Sequence, residues 1–316
     1  MKATYTLFFT TLLTVISFAQ SSPWEKEMIA VTDNQAEHVI MGFSEIQRAN
    51  WDDLQHPKFW QQIMNLSPDS VLVNVAETRQ ILAKMSAKDW HKQTEAEKDS
   101  LKDSLRSRYG LSAVERINVT TGKNDFYRFD LVFESLPKGV EAFEQFGVDP
   151  WYAQSILLIE SPGRMQKSTA GAYGPFQLMP GVARMMGLTV NKYTDERRDF
   201  KRSAYAAAQL LKRICIPSAR QLAQQAGLSV DENAVWFRLL TMHVYHAGAL
   251  NVKAVVEKIG SVVSGEELIQ KMWVTSAASF GNSSQNYSQL ALAAHIQLES
   301  YIHQKRCGVY SCDSAF

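Results

Sequence analysis

Asp149-Pro150-Trp151-Tyr152-Ala153-Gln154-Ser155-Ile156-Leu157-Leu158-Ile159-Glu160-Ser161-Pro162-Gly163 is the stretch that decides how this chain folds. Asp149 is an N-cap acceptor, and Pro150 has the fixed φ that suits a first helical position. The pair predicts a helix from Trp151 to about Ser161, stopped by Pro162 and Gly163. On it Ala153, Ile156, Leu157 and Glu160 stand at i−7, i−4, i−3 and i, so they share one face. A carboxylate that continues an apolar stripe is desolvated, and one in the last turn sits near the negative end of the helix dipole. Both effects raise its pKa. A raised carboxyl pKa is what a general acid requires, although a glutamate paired with a buried arginine could occupy the same position.

The residues that follow favour the acid. Ser168-Thr169-Ala170-Gly171-Ala172-Tyr173-Gly174 leads into Pro175-Phe176-Gln177-Leu178-Met179-Pro180, and its two glycines allow the close backbone approach that a long binding cleft needs. Gln177 is a neutral donor and acceptor for amide or hydroxyl groups. Pro180 opens a further short helix ending at Gly187. Asp199 reads as the N-cap of a helix from Phe200 to Ile214, on which Ala204, Ala207, Ala208 and Leu211 form a packing stripe. Asp195 and Glu196 are expected to pair with the interleaved Arg197 and Arg198 and not to serve as a second catalytic carboxylate.

Glu160-Ser161 followed by Ser168-x-x-Gly171-Ala172-x-Gly174-x-x-Gln177-x-Met179-Pro180 resembles the signature of the family 1 lytic transglycosylase (SLT) domain. Asp195 to Asp199 with Ser203 and Ala206-Ala207-Ala208 is similar to that family's next block. Tyr245-His246-Ala247-Gly248 with Asn251 is similar to its Tyr-Asn-Ala-Gly block, and Asn286-Tyr287 with Leu290, Ala291 and Ala293 to its closing helix. The chain departs from the pattern in a shorter loop after Glu160 carrying Pro162, Gly163 and Arg164, in Pro175-Phe176 where Leu-Met is usual, and in His246 where Asn is usual. The resemblance implies a mainly α, lysozyme-like catalytic domain that cleaves the β-1,4 bond between N-acetylmuramic acid and N-acetylglucosamine. Glu160 would act as acid and then base, yielding 1,6-anhydromuramic ends without water. It further implies substrate contacts from Ser161, Ser168, Gly174, Gln177, Met179, Tyr245, His246 and Tyr287, with Tyr245 orienting the acetamido group or the catalytic carboxyl. A muramidase on the same fold, or a non-catalytic peptidoglycan-binding or scaffolding protein, is the competing reading.

Of the 316 residues 46% are apolar or aromatic, enough for one large core or two modest ones. Lys plus Arg is 33 against 32 Asp plus Glu, so there is no polybasic field for nucleic acid and a neutral polymer is an easier partner; the resemblance implies peptidoglycan strands. Residues 1–19 read as a secretory signal peptide, a basic start, an apolar run from Tyr5 to Phe18 and a small-x-small box at Ala19, which implies export to the periplasm or cell envelope. Residues 20–135 read as a mostly helical region with a role in a cell-envelope complex left open, and 136–316 as the catalytic domain. Within the first region, Ser67-Pro68-Asp69 reads as a helix start ahead of Val71 to Met85, and Ser86 to Tyr109 as a charged stretch closed by Gly110. Ile117–Thr121 and Asp125–Phe133 read as a short β-hairpin at its end. Cys307 and Cys312 could close a small loop in an oxidising compartment, leaving Cys215. No cofactor or metal is expected: His243 and His246 lack the further ligands a metal needs.

Overall fold

The computed structural model describes residues 22–33, 36–161 and 167–309. The expected signal peptide, Pro162 to Arg164 of the expected loop, and Cys312 lie outside the described residues, as does the side chain of Cys307. Strands β1 (Met28–Asp33) and β2 (Ala36–Met41) pair antiparallel and are followed by α1 (Ser44–Arg48) and α2 (Gln55–Asn65). Next come β3 (Ser70–Val75), β4 (Ile81–Ser86), α3 (Ala87–Lys92), α4 (Glu95–Tyr109) and β5 (Ile117–Thr121). The helical remainder comprises α5 (Leu136–Gln145), α6 (Pro150–Glu160), α7 (Pro180–Met185), α8 (Phe200–Leu210) and, after a π-helical turn over Leu211–Cys215, α9 (Ile216–Gln225). It closes with α10 (Val235–Ala247), α11 (Ala249–Ile259), α12 (Gly265–Met272) and the long α13 (Asn282–Val309). The mainly α architecture matches the expectation, with the two small sheets of the described residues lying between Met28 and Thr121.

Three local expectations are corrected. Val71 to Met85 is not a helix but the antiparallel pair β3 and β4, joined through Arg79 in the left-handed region at φ 60°. Val71, Val73 and Val75 are all fully buried, and β-branched residues at alternate positions fit the pleated strand better than a helix. Likewise β5 exists, but its partner is β3, not Asp125–Phe133; the sheet order is β4-β3-β5. The aromatic run Tyr127, Phe129, Val132 and Phe133 is irregular backbone plus a 3₁₀ turn, and it fills the main core. Gly122, in the stretch between the two segments read as a hairpin, serves a close approach: a Cβ there would run into the carbonyls of Leu66 and Ser67. The region expected to be helical from Ser22 also contains the β1–β2 hairpin. By contrast α4 is capped as its sequence suggests, by a Thr94–Glu97 capping box and by Gly110 at φ 65°.

Helix α6 is the axis of the molecule. Every residue from Pro150 to Ile159 is buried, so the expected one-sided apolar face is an all-round one. Its polar residues are satisfied by neighbours distant in sequence. Gln154 accepts from Met41 N–H and donates to the Met41 carbonyl, both at 2.9 Å, which docks β2 on the helix. Ser155 Oγ lies 2.7 Å from Nε2 of His295 on α13, whose ring stacks on Trp151. Asp149 accepts the Trp151 N–H as the N-cap and also receives Arg238 Nε at 2.7 Å, while the other arm of Arg238 grips Glu27 at 2.7 and 3.0 Å. The apolar core is continuous from Val31 to Ile302, across Ser135. No helix among the described residues is long and apolar enough to cross a membrane. Cys215 is a free, buried thiol.

Candidate active site

Glu160 ends α6 where Ser161 leaves helical geometry, at φ −144° and ψ 52°. The helix lifts the carboxylate to the edge of the core, and the residue is half-buried. Tyr287 of α13 donates its hydroxyl to Glu160 Oε1 at 2.9 Å. Burial raises the Glu160 pKa to about 7, against which the Tyr287 hydrogen bond pulls down. No second carboxylate among the described residues contributes to that shift. The buried phenols of Tyr127, Tyr245 and Tyr287 all feel the charge of this carboxyl; burial and then the Glu160 charge push each of them up, so all stay protonated near neutrality.

The segment from Lys167 to Leu178 is anchored largely through its backbone groups. Ser161 Oγ donates to the Pro175 carbonyl at 2.8 Å, and Ser168 Oγ accepts the Ala172 N–H at 2.9 Å. Gly174 sits at φ 85° with its Cα against the Arg197 carbonyl, which leaves no room for a Cβ. Gln177 also takes a positive φ, 45°, and donates to the Gly174 carbonyl at 2.9 Å. A non-glycine residue held there is strained, and such strain collects at functional sites. Phe176 between them is fully buried and stacks on Phe143 of α5, with centroids 5.4 Å apart, which fastens the loop to the core. Met179 is 42% exposed at the start of α7.

Of the residues singled out in the sequence, the structure gathers Glu160, Tyr287 and His246 most tightly, with the His246 ring stacked on Tyr287 at 4.2 Å between centroids. Tyr245 is nearby but does not orient the carboxyl: its single hydroxyl proton goes to the Phe176 carbonyl at 2.6 Å. Ser161 ties the helix end to the loop, while Ser168 and Gln177 hydrogen-bond within the loop itself. Two contributors escaped the sequence reading. Arg197, buried, bonds Asp195 in a fork and reaches the carbonyls of Gly171 and Leu178 at 2.9 and 2.8 Å, so it holds both ends of the loop. The expected pairing of Asp195 is met, whereas Glu196 pairs with Arg202 and not with its neighbours. Tyr127, from a segment read as a strand, supplies the third phenol. Asp199 caps α8 through the Arg202 N–H, as its sequence suggests. Among the described residues no group of three or more His, Cys, Asp or Glu could hold a metal ion.

Residues 140–260 match the family model described as Transglycosylase SLT domain. No curated protein matches the chain. The matched span holds Glu160, the Gly171–Gln177 loop, Tyr245 and His246, while Tyr127 and Tyr287 reach the site from either side of it. By that match residues 140–260 form a transglycosylase SLT domain, which supports a peptidoglycan-cleaving activity of the lytic transglycosylase type.

Proposed function

We propose that this protein is a peptidoglycan lytic transglycosylase in which Glu160 is the single acid and base. The observation that carries this reading is the pairing of a half-buried carboxyl, held near pKa 7, with one phenol donor and no neighbouring carboxylate among the described residues. A group with a pKa near the working pH can give a proton and take one back in the same turnover. Glu160 would first protonate the oxygen that links N-acetylmuramic acid to N-acetylglucosamine. The positive charge left at C1 would be met by the sugar's own 2-acetamido group, which stands in for the second carboxylate most glycosidases use. The Glu160 carboxylate, with Tyr287 on Oε1, would then remove the proton of the muramic C6 hydroxyl as that oxygen closes on C1. The bond to C1 breaks on one side and forms on the other, and the proton returns to Glu160.

The strained, Arg197-pinned loop from Gly171 to Leu178 is the platform along which the glycan would lie. Export to the periplasm or cell envelope belongs to the same reading, supported by the signal-like first 19 residues. The test is sacculus solubilisation by wild type and by Glu160→Gln, both shown to be folded. The reading expects turnover by wild type and a loss of about a thousandfold or more in the variant, since removal of the proton donor abolishes both steps. Equal rates would overturn it.

A further inference from the structure

His246 lies one residue from the C-terminal end of α10, just before Gly248 turns the chain at φ 80°. Its ring rests on that of Tyr287, with centroids 4.2 Å apart and planes inclined by 23°. Tyr287 in turn donates to Oε1 of Glu160. A phenol that donates to Oε1 favours that oxygen as the carbonyl acceptor, so it biases the acid proton toward Oε2. The Tyr287 ring is itself buried, and the His246 ring is stacked on it; an aromatic stack is worth about 0.5–1.5 kcal/mol beyond area burial and helps hold the phenol in that direction. We propose that His246 is a positioning residue: by stacking on Tyr287 it fixes which oxygen of Glu160 carries the proton delivered to the glycosidic oxygen. This rests on the acid role of Glu160 proposed above.

The surroundings make the effect separable from charge. Glu160 is faced by Tyr287 from α13, Tyr245 from α10 and Tyr127 from the segment after β5. The Cys215 thiol, pushed up to about 12 by burial, faces the two tyrosines of α13 and α10, and His243, lowered to about 3 by burial, faces His246. All are neutral near pH 7. His246 itself keeps an exposed edge, yet desolvation in the stack lowers its pKa to about 4, so it too is neutral there. Replacing it removes no charge; any water admitted by loss of the ring would relieve burial and lower the Glu160 midpoint, so a rise reports the loosened Tyr287 hydrogen bond.

The experiment is a carboxyl-carbon NMR titration of Glu160 in the full chain, the signal assigned by its loss in Glu160→Gln. His246→Ala is expected to raise the midpoint by about half a unit, roughly threefold in the dissociation constant. Tyr287→Phe should raise it further, the double variant should match Tyr287→Phe alone, and His246→Phe, which keeps a ring on the tyrosine, should restore the wild-type midpoint. A wild-type midpoint in His246→Ala, or additive shifts in the double variant, would overturn the proposal. Because the readout needs no turnover, failure of wild type to cleave peptidoglycan would instead count against the acid role of Glu160.

Discussion

The Tyr287 hydroxyl meets Glu160 Oε1 at 2.9 Å across 127 residues of sequence, joining the last turn of α6 to the first turns of α13. That bond is the one polar contact that lowers the Glu160 pKa against the burial that raises it. Tyr287→Phe removes it. A hydrogen bond to a charged group is worth about 1.5–3 kcal/mol, so the Glu160 pKa should climb by about one unit. The alkaline limb of kcat/KM, which reports loss of the acid proton in the free enzyme, should move up by the same amount. An unmoved limb would separate Tyr287 from the acid.

Glu160 should also leave a pH signature on stability. Its folded pKa of about 7 lies above the unfolded 4.5, so the folded state holds the extra proton between those values. Stability linked to Glu160 is therefore fully present below pH 4.5 and is lost as pH rises through 7, a difference of up to about 3 kcal/mol. Glu160→Gln, which cannot ionise, should melt with wild type at pH 4 and a few degrees above it at pH 8. Calorimetry at the two pH values checks this, and a variant that loses stability relative to wild type as pH rises would contradict it.

Gly174 and Gly171 make a matched pair for the loop. Both have positive φ, but a Cβ at Gly174 would collide with the Arg197 carbonyl while one at Gly171 meets open space. Gly171→Ala should cost about 1–2 kcal/mol from backbone strain alone. Gly174→Ala adds a steric clash and should cost about 3 kcal/mol or more. Urea denaturation of the two variants gives the comparison; equal costs would mean the loop yields freely and is no rigid platform.

Buried and exposed ion pairs should differ sharply. Arg238→Met strands Asp149 and Glu27 at the start of α6, with Asp149 almost fully buried, and should cost about 3–5 kcal/mol. Glu257→Gln breaks the open pair to Lys253, at 3.7 Å and about half exposed on both sides, and should change stability by less than about 0.5 kcal/mol. Thermal melts of both variants are enough to compare them.

How much of this was visible beforehand depends on where each feature takes its cause. Helix α6 and the character of Glu160 were legible because the Asp149-Pro150 opening, the apolar run and the Pro162-Gly163 stop act within one short segment. The capping of α4 and α8 was legible for the same reason. β3 was not: a short apolar run such as Val71–Val75 has no periodicity that separates a buried strand from a helix, and the strands that flank it on both sides pair with it from 7 to 50 residues away. The aromatic segment from Phe126 to Phe133 looked like a strand because core-filling and strand-forming residues are the same types. At the site, a phenol was expected on the carboxyl, but Tyr245 and Tyr287 cannot be told apart without knowing which carbonyl lies within reach; the Phe176 carbonyl takes Tyr245. Arg197 looked like a surface partner for its acidic neighbours, and only the fold shows its other hydrogen bonds to the loop.

The claim at the centre of this account is that Glu160 drives an intramolecular displacement in which water takes no part. Digestion of purified sacculi in ¹⁸O-labelled water, followed by mass analysis of the product ends, tests it most directly. Wild type should give 1,6-anhydromuramic ends free of ¹⁸O, and Glu160→Gln should give none. Reducing ends carrying ¹⁸O, or anhydro ends produced equally by Glu160→Gln, would contradict it.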